Sequence, residues 1–175
     1  SDGFHQVRYR DEYAGSPWLP AGGAAAPDVV NVTIGGVATQ SYAFDGVTTE
    51  ERLASHFEMP HDIPFAKVND GTLKIEWHVH FRPSDNNSGT CKWFLDWCYT
   101  PKDGSPIAQT SVSCEQIISA NQQHYHFICN AELPVVSGGY GIGGLITFNL
   151  RRTPSDTGDT YEHDALFIKT ALHVP

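Results

Sequence analysis

Residues 73–82 read LKIEWHVHFR, and this stretch decides the fold class. Five apolar side chains, from Leu73 to Phe81, alternate with five polar ones, from Lys74 to Arg82. Successive side chains of a β-strand point to opposite faces, so this alternation predicts a strand with one buried face. The turn-forming segments NDG at 69–71 and PSDNNSG at 83–89 bound the strand on both sides.

The same alternation recurs along the chain, in the segments 29–34, 91–99, 123–133, 145–151 and 165–174. Gly35-Gly36 separates the first of these from residues 37–41, which predicts a two-residue hairpin. Seven or eight such strands predict an all-β fold, an antiparallel β-sandwich of jelly-roll kind. Helical signals are scarce: Thr48 and Glu51 resemble a capping box for a short helix at 48–54.

The chain of 175 residues is predicted to form one domain at 28–175 preceded by an extended arm at 1–27. The arm contains SPWLPAGGAAAP at 16–27, where prolines lack amide donors and glycines loosen the backbone. We expect it to lie across a neighbouring subunit, with Trp18 and Leu19 as anchors in a partner-binding role. A disordered tail is the alternative.

The charge balance bears on the partners. Eleven basic and 20 acidic residues give a formal net charge of −9. Binders of nucleic acid usually carry a basic stripe, so we expect no nucleic-acid partner. No apolar run approaches the ~18 residues of a membrane span, so we expect no membrane partner. A basic segment followed by an apolar one does not open the chain, so no signal peptide is expected.

Four cysteines stand at positions 91, 98, 114 and 129, and none belongs to a CxxC motif. Four in a chain of this length do not make a disulfide-dense protein. They are interpreted as reduced thiols that pack as small hydrophobic side chains. Whether Cys91 and Cys129 lie close enough to bridge stays open.

Two His-x-His pairs, His78/His80 and His124/His126, are the candidates for a metal site. On a strand, residues i and i+2 share a face about 7 Å apart, so two neighbouring strands would bring four imidazoles together. A cupin-like metal-binding protein is therefore one alternative. The cupin pattern needs a glutamate soon after the first pair, and residues 82–85 contain none. We accordingly predict that no metal or cofactor is bound.

The aromatic residues raise the alternative of a carbohydrate-binding module, in which exposed rings would contact a sugar. Trp77, Trp93 and Trp97 fall on inward faces of strands and are assigned to the core. Tyr140, in the glycine-rich segment 139–144, and Tyr161 are expected to be exposed, and Tyr140 is assigned to partner binding. No nucleophile motif of hydrolases occurs, and nothing nominates a carboxylate pair. The chain is therefore not expected to be an enzyme.

Several segments together resemble small virion proteins of tailed bacteriophages. These are MPHD at 59–62, WHVHFRP at 77–83, NSG at 87–89, WFLDW at 93–97, ITFNLR at 146–151, DTY at 159–161 and DAL at 164–166, which leads into a strand that reaches His173. The resemblance covers about residues 57–174. Phe81 stands where the family commonly has Trp, a change that keeps the packing role.

The resemblance implies a non-enzymatic structural protein of the virion. We expect a capsid decoration (cement) protein that binds the major capsid protein and stabilises the head shell. A tail, neck or receptor-binding component is the alternative, with other virion proteins as partners. A homo-oligomer, trimer or dimer, and a location in the virion after assembly in the host cytoplasm are further expectations.

Overall fold

The computed structural model describes residues 8–14, 19–20 and 25–175. Its strands are β1 (Arg10–Tyr13), β2 (Leu19–Pro20), β3 (Asp28–Ile34), β4 (Val37–Phe44), β5 (Glu51–Glu58), β6 (Ile75–Pro83), β7 (Gly89–Thr100), β8 (Ile107–Ala108), β9 (Val112–Ile118), β10 (Phe127–Leu133), β11 (Leu145–Arg152) and β12 (Ala165–Val174). A short helix, α1 (Phe65–Asn69), lies between β5 and β6. Within the described ranges, no helix has the length and apolarity that crossing a bilayer requires.

The strands form two antiparallel sheets. Sheet 1 has the order β10-β6-β12-β4-β3, and β1 pairs with the end of β12. Sheet 2 has the order β2-β5-β11-β7-β8, and β9 also pairs with β7. Buried side chains from both sheets form one hydrophobic core. The predicted all-β antiparallel sandwich is confirmed.

The alternating stretch at 73–82 supplies a central strand of sheet 1. Strand β6 pairs with both β10 and β12, and Trp77, Val79 and Phe81 are fully buried. Strand β7 does the same in sheet 2, where it buries Trp93 completely. The ring of Trp93 packs edge-on against Phe44 of β4, with centroids 4.9 Å apart. The assignment of the tryptophans to the core is confirmed.

Two local predictions were wrong. The suggested helix at 48–54 is a turn followed by β5, because the carboxylate of Asp45 accepts the amides of Val47, Thr48 and Thr49. This side-chain acceptor fixes a turn in place of a helix start. The strand predicted at 123–133 begins only at Phe127, and residues 119–126 form a turn in which Asn121 and His124 have positive φ.

Cys114 of β9 and Cys129 of β10 form a disulfide, with Cα atoms 5.8 Å apart. The interpretation of four reduced thiols is therefore wrong for this pair, while Cys91 and Cys98 are free. Strand β9 belongs to sheet 2 and β10 is the outermost strand of sheet 1. Sequence spacing alone could not indicate this bond, because the two strands meet only when the sheets pack. The disulfide ties the two sheets together along one side.

The described parts of the predicted arm pair with the chain's own sheets. Residues 10–13 lie antiparallel to 171–174 of β12, and residues 19–20 pair with β5 at the edge of sheet 2. An isolated bridge joins Ala25 to Glu51. These pairings place Asp11 opposite His173 on sheet 1. Contact between residues 1–27 and a neighbouring subunit stays a prediction.

A buried ion pair lies inside the sandwich. The guanidinium of Arg152, fully buried at the end of β11, donates to both carboxylate oxygens of Asp159 at 2.8 Å. It also donates to the carbonyls of Phe44, Tyr161 and His163. A buried charge is tolerated when it is paired and hydrogen-bonded in this way. The pair connects β11 and the segment 159–163 to the end of β4.

Candidate functional site

The outer face of sheet 1 carries a row of aromatic rings. We call it the imidazole row, and it runs from His126 through His80, His78 and His173 to Tyr9. Successive ring centroids are 5.1, 6.3, 5.0 and 5.0 Å apart. Three of the four contacts are stacked, with interplanar angles of 27°, 16° and 10°.

Strand register explains the row. His78 and His80 alternate with the buried residues of β6 and therefore point away from the core. In strand β12, His173 lies opposite Glu76 of β6. On the other side of β12, Asp11 of β1 also lies opposite His173. Three adjacent strands thus present polar side chains on one face, which brings together residues far apart in sequence.

Asp11 forms the acidic end of a small cluster with two of these histidines. Its Oδ1 is 2.9 Å from Nδ1 of His173 and 3.8 Å from Nδ1 of His78. The candidate ligand atoms of the three residues all lie within 4.8 Å of one another. The other ring nitrogen of His78, Nε2, is 3.5 Å from a carboxylate oxygen of Glu76. The arrangement has the composition of a metal site.

The other two histidines form a separate pair. Nδ1 of His80 is 2.9 Å from Nε2 of His126, so one nitrogen donates and the other accepts. His80 is 4% exposed, and its Nε2 is buried without a hydrogen-bond partner among the described residues. Burial, together with the nearby positive charges of Lys169 and His126, lowers the pKa of His80 to about 4. Burial also lowers the pKa of His126, and Arg82 and Lys169 act in the same direction.

The acidic residue responds in a different way. Partial burial alone would raise the pKa of Asp11, but the hydrogen bond from His173 and the charges of the neighbouring histidines outweigh it and lower that pKa. Asp11 is therefore a carboxylate at neutral pH. A carboxylate oxygen and imidazole nitrogens are donor atoms that can bind a cation together.

The predicted set of four histidines is only partly assembled. The ring contacts bring together His78, His80 and His126. His124 lies in the turn before β10, where its backbone has φ +62° and its carbonyl accepts a hydrogen bond from Arg82. The expectation that the second His-x-His pair lies on a strand was wrong, because β10 begins after it.

Sequence analysis missed Asp11 and His173. The one available signal for His173 was its alternation with the buried Leu172 and Val174 of β12, which places it on the same kind of polar face as His78. Asp11 gave no signal, because residues 2–13 show no periodicity from which a strand could be predicted. Its position became evident only from the pairing of β1 with β12.

The outer face of sheet 2 is occupied by ion pairs. Arg151 donates to Asp96 at 2.7 Å, and its guanidinium lies 4.1 Å from the ring centroid of Phe94. Arg52 pairs with Glu50, and Glu50 also accepts from the hydroxyl of Thr153. A further pair joins Lys92 of β7 to Asp156 at 3.0 Å. Basic and acidic side chains thus neutralise one another across this face.

The hairpin of β3 and β4 is a second candidate surface. Its turn is Gly35-Gly36, both with positive φ, which confirms the predicted two-residue hairpin. Strand β12 pairs only with residues 42–44 of β4, so most of the hairpin is not paired with β12. Its tip is exposed, with Val37 at 66%. An open groove at its base is lined by Val29, Gln40, Ser41, Tyr42, Phe167 and Ile168.

Of the residues predicted to bind a partner, the structure describes the side chain of Tyr140 alone. Trp18 and the side chain of Leu19 lie outside the described residues, although the backbone of Leu19 pairs with Ala54. Tyr140 is 4% exposed, and its hydroxyl donates to the carbonyl of Pro134 at 2.7 Å. Tyr161 is fully buried. The expectation that these two tyrosines are exposed was wrong, because glycine-rich or polar neighbours do not show which way a ring turns.

Comparisons with known proteins do not identify a family for the chain. No protein-family model matches the chain, and no curated protein matches it. One solved structure that is similar is an arabinose-bound α-L-arabinofuranosidase, with 13% identity and a TM-score of 0.44. The match covers 90% of this chain and 23% of that protein. The chain therefore spans about a quarter of the length of the enzyme, and likeness at this level carries no argument about activity.

Proposed function

We propose that the protein is a non-enzymatic structural component of a tailed-bacteriophage virion, a decoration protein that binds the head shell. The observation that carries this proposal is the projecting hairpin of β3 and β4. Its outer strand is the edge of sheet 1, and among the described residues no strand pairs with its free side. Residues 29–44 contain no charged side chain.

An edge strand of this kind is a template for pairing with another chain. Proteins usually protect exposed edges with charged residues, prolines or bulges, because free amides and carbonyls invite strand addition. Strand β3 has none of these between Val29 and Ile34, and three of its side chains are β-branched valines. Strand addition supplies backbone hydrogen bonds, and the alternate side chains supply specificity. A capsid subunit that offers a complementary strand fits this surface.

The fold supports the same role. Strands β4, β12, β6 and β10 lie side by side in sheet 1, and β5, β11, β7 and β9 do so in sheet 2. Among these eight strands, each one and the next along the chain lie in different sheets, except for β7 and β9, and this arrangement supports the jelly-roll prediction. Jelly rolls are frequent among viral structural proteins. The net charge of −9 would keep such a protein from binding packaged DNA.

A matched pair of exposed valines tests the proposal. Val37, at the hairpin tip, is 66% exposed and Val47, in the turn after β4, is 63% exposed. We expect Val37→Lys to lower co-sedimentation with phage heads that lack this protein by at least tenfold, while Val47→Lys binds as the parent does. Circular dichroism verifies that both variants fold. Equal binding by both variants would remove the hairpin from the interface.

The number of copies per particle separates the head from other locations. A cryo-electron microscopy map with one copy, or one trimer, for each set of capsid subunits would support decoration. A dozen copies or fewer at one vertex would instead favour the tail or neck component, and binding of the isolated protein to host cells would favour a receptor-binding part. Absence from purified virions would overturn the proposal.

A further inference from the structure

We propose that Asp11, His78 and His173 bind a divalent first-row transition metal ion, with Zn²⁺ as its representative, on the outer face of sheet 1. The sequence led us to predict no bound metal, with the four histidines of the His-x-His pairs as the alternative site. The site proposed here shares only His78 with that set, because its other two ligands come from β1 and β12. It is independent of the proposed docking role, because none of its three residues belongs to the hairpin of β3 and β4.

The geometry needs only small side-chain movements to hold an ion. A tetrahedral Zn²⁺ with bonds of about 2.0–2.2 Å places its ligand atoms about 3.3 Å apart. Oδ1 of Asp11 is 2.9 Å from Nδ1 of His173 and 3.8 Å from Nδ1 of His78, on either side of that spacing. The largest of the three separations is no more than 4.8 Å. Rotations of the two rings about their side-chain bonds suffice to close this gap.

The donor set determines which ions fit. Two imidazole nitrogens and one carboxylate oxygen suit Zn²⁺, Cu²⁺, Ni²⁺ or Co²⁺, whereas Ca²⁺ and Mg²⁺ require mostly oxygen ligands. Three protein ligands leave one position for water or for a group from a partner. The side chains of His78, Asp11 and His173 are 14%, 27% and 32% exposed, so an ion reaches the cluster from solvent.

The surroundings orient the ligands. Nε2 of His78 lies 3.5 Å from Glu76, so this carboxylate can accept the Nε2 proton while Nδ1 faces Asp11. Such a carboxylate–histidine contact behind the ligand is common at metal sites and fixes the tautomer. The ring of His173 is stacked between Tyr9 and His78, with centroids 5.0 Å away on each side. Stacking on both neighbours limits the tilt of the His173 ring.

Metal titration of tag-free, chelator-treated full-length protein tests the proposal. Competition with a chromogenic chelator is expected to give one Zn²⁺ per chain, with no competition from Ca²⁺ or Mg²⁺. We expect His173→Ala and Asp11→Asn to weaken Zn²⁺ binding at least 100-fold, since each removes a ligand. Glu76→Gln should weaken it by about tenfold, the lower end of the effect of an orienting carboxylate.

Two control variants make the result decisive. His56→Ala removes an exposed histidine on sheet 2 and should leave Zn²⁺ binding unchanged. His126→Ala removes the partner of His80 and should also leave it unchanged. Loss of binding in His126→Ala but not in His173→Ala would assign the ion to the His80–His126 pair and overturn the proposal. Sub-stoichiometric Zn²⁺ that neither Asp11→Asn nor His173→Ala affects would overturn it as well, and melting curves of each variant verify folding.

Discussion

The outer faces of the two sheets differ in how their charges are arranged. On sheet 2, Arg151 and Arg52 each have a carboxylate partner, Asp96 and Glu50 respectively. On sheet 1, the central positions are taken by stacked imidazoles with two carboxylates, Asp11 and Glu76, beside them. The first face neutralises its own charges, whereas the second keeps several nitrogen donors close together.

The difference between the two faces suggests that the face of sheet 2 mainly contributes to stability and the face of sheet 1 mainly offers groups for binding. Ion pairs that satisfy each other leave few groups with which a ligand can interact. On sheet 1, the side chains of His78 and His173 are partly exposed, so their ring nitrogens remain accessible to a ligand. Substitutions on sheet 2 should therefore alter stability, and substitutions on the imidazole row should alter binding.

The largest effect is expected at the buried end of sheet 2. Asp159→Ala leaves the fully buried guanidinium of Arg152 without its carboxylate, which should cost about 3–5 kcal/mol in the free energy of unfolding. Asp156→Ala is the matched control, because Asp156 pairs with the amine of Lys92 at the surface. That change should cost about 1 kcal/mol or less. Urea unfolding measures both, and equal losses would contradict the distinction.

The disulfide between the sheets should give the next largest effect. Cys114 and Cys129 are separated by 15 positions in sequence, and a loop of that size is worth about 3 kcal/mol. Reductant should therefore lower the midpoint of urea unfolding of the parent protein. The double variant Cys114→Ser/Cys129→Ser should unfold at that lower midpoint with or without reductant. Cys98→Ser, which keeps the bond, should respond to reductant as the parent does.

The adjacent residues Glu50 and Glu51, where β5 begins, should contribute to the pH dependence of stability with opposite signs. Burial, reinforced by the charges of Asp45, Asp28 and Asp164, raises the pKa of Glu51 from 4.5 to about 7. Between about pH 4.5 and 7, the folded protein keeps a proton that the unfolded chain has already released. The stability that this proton contributes is therefore lost as pH rises through that range. Glu51→Gln should remove that loss of stability. Its melting temperature should therefore increase relative to that of the parent as pH rises from about 5 to 7.5.

Glu50→Gln should change the pH dependence of stability in the opposite direction to Glu51→Gln. Although partial burial raises the pKa of Glu50, its bonds with Thr153 and Arg52 lower it overall. A lowered carboxyl pKa stabilises the folded state above the ordinary value and loses that contribution as pH falls. The variant should therefore be less stable than the parent near neutral pH, and the difference should shrink in acid. Parallel pH profiles for the two variants would refute this assignment.

The smallest stability effects compare the two outer faces directly. Arg151→Ala removes an ion pair and the contact with Phe94, and should cost about 1 kcal/mol at low salt. Part of this loss should disappear at high salt, where the pair is screened. His173→Ala, measured with chelator present, should change unfolding by less than Arg151→Ala. A larger loss for His173→Ala would mean that the imidazole row is mainly a stabilising element.

Much of the sandwich could be predicted from local patterns. The alternation around Trp77 placed a central strand correctly, because apolar side chains on a strand face the core and polar ones face away from it. Gly35-Gly36 located a hairpin because few residues tolerate its backbone angles. The turn at 45–49 was not foreseen, since a capping box and a turn held by an aspartate look alike in sequence.

The candidate sites were harder to predict. His78 and His80 were correctly singled out, but their neighbours on the sheet depended on strand order and register. Asp11 reaches the site through the pairing of β1 with β12, two segments about 160 residues apart. The disulfide has the same cause, because its two strands belong to different sheets. Local periodicity carries no information about which distant strands become neighbours.

The bond between Cys114 and Cys129 also makes the link between the two sheets depend on the redox conditions around the protein. In a reducing cytoplasm the thiols stay apart, and β9 and β10 are held only by packing. Release into oxidising surroundings would then close the bond without moving the backbone, since the two Cα atoms already lie within bonding range. The two sheets would therefore be linked covalently only after the protein meets oxidising conditions.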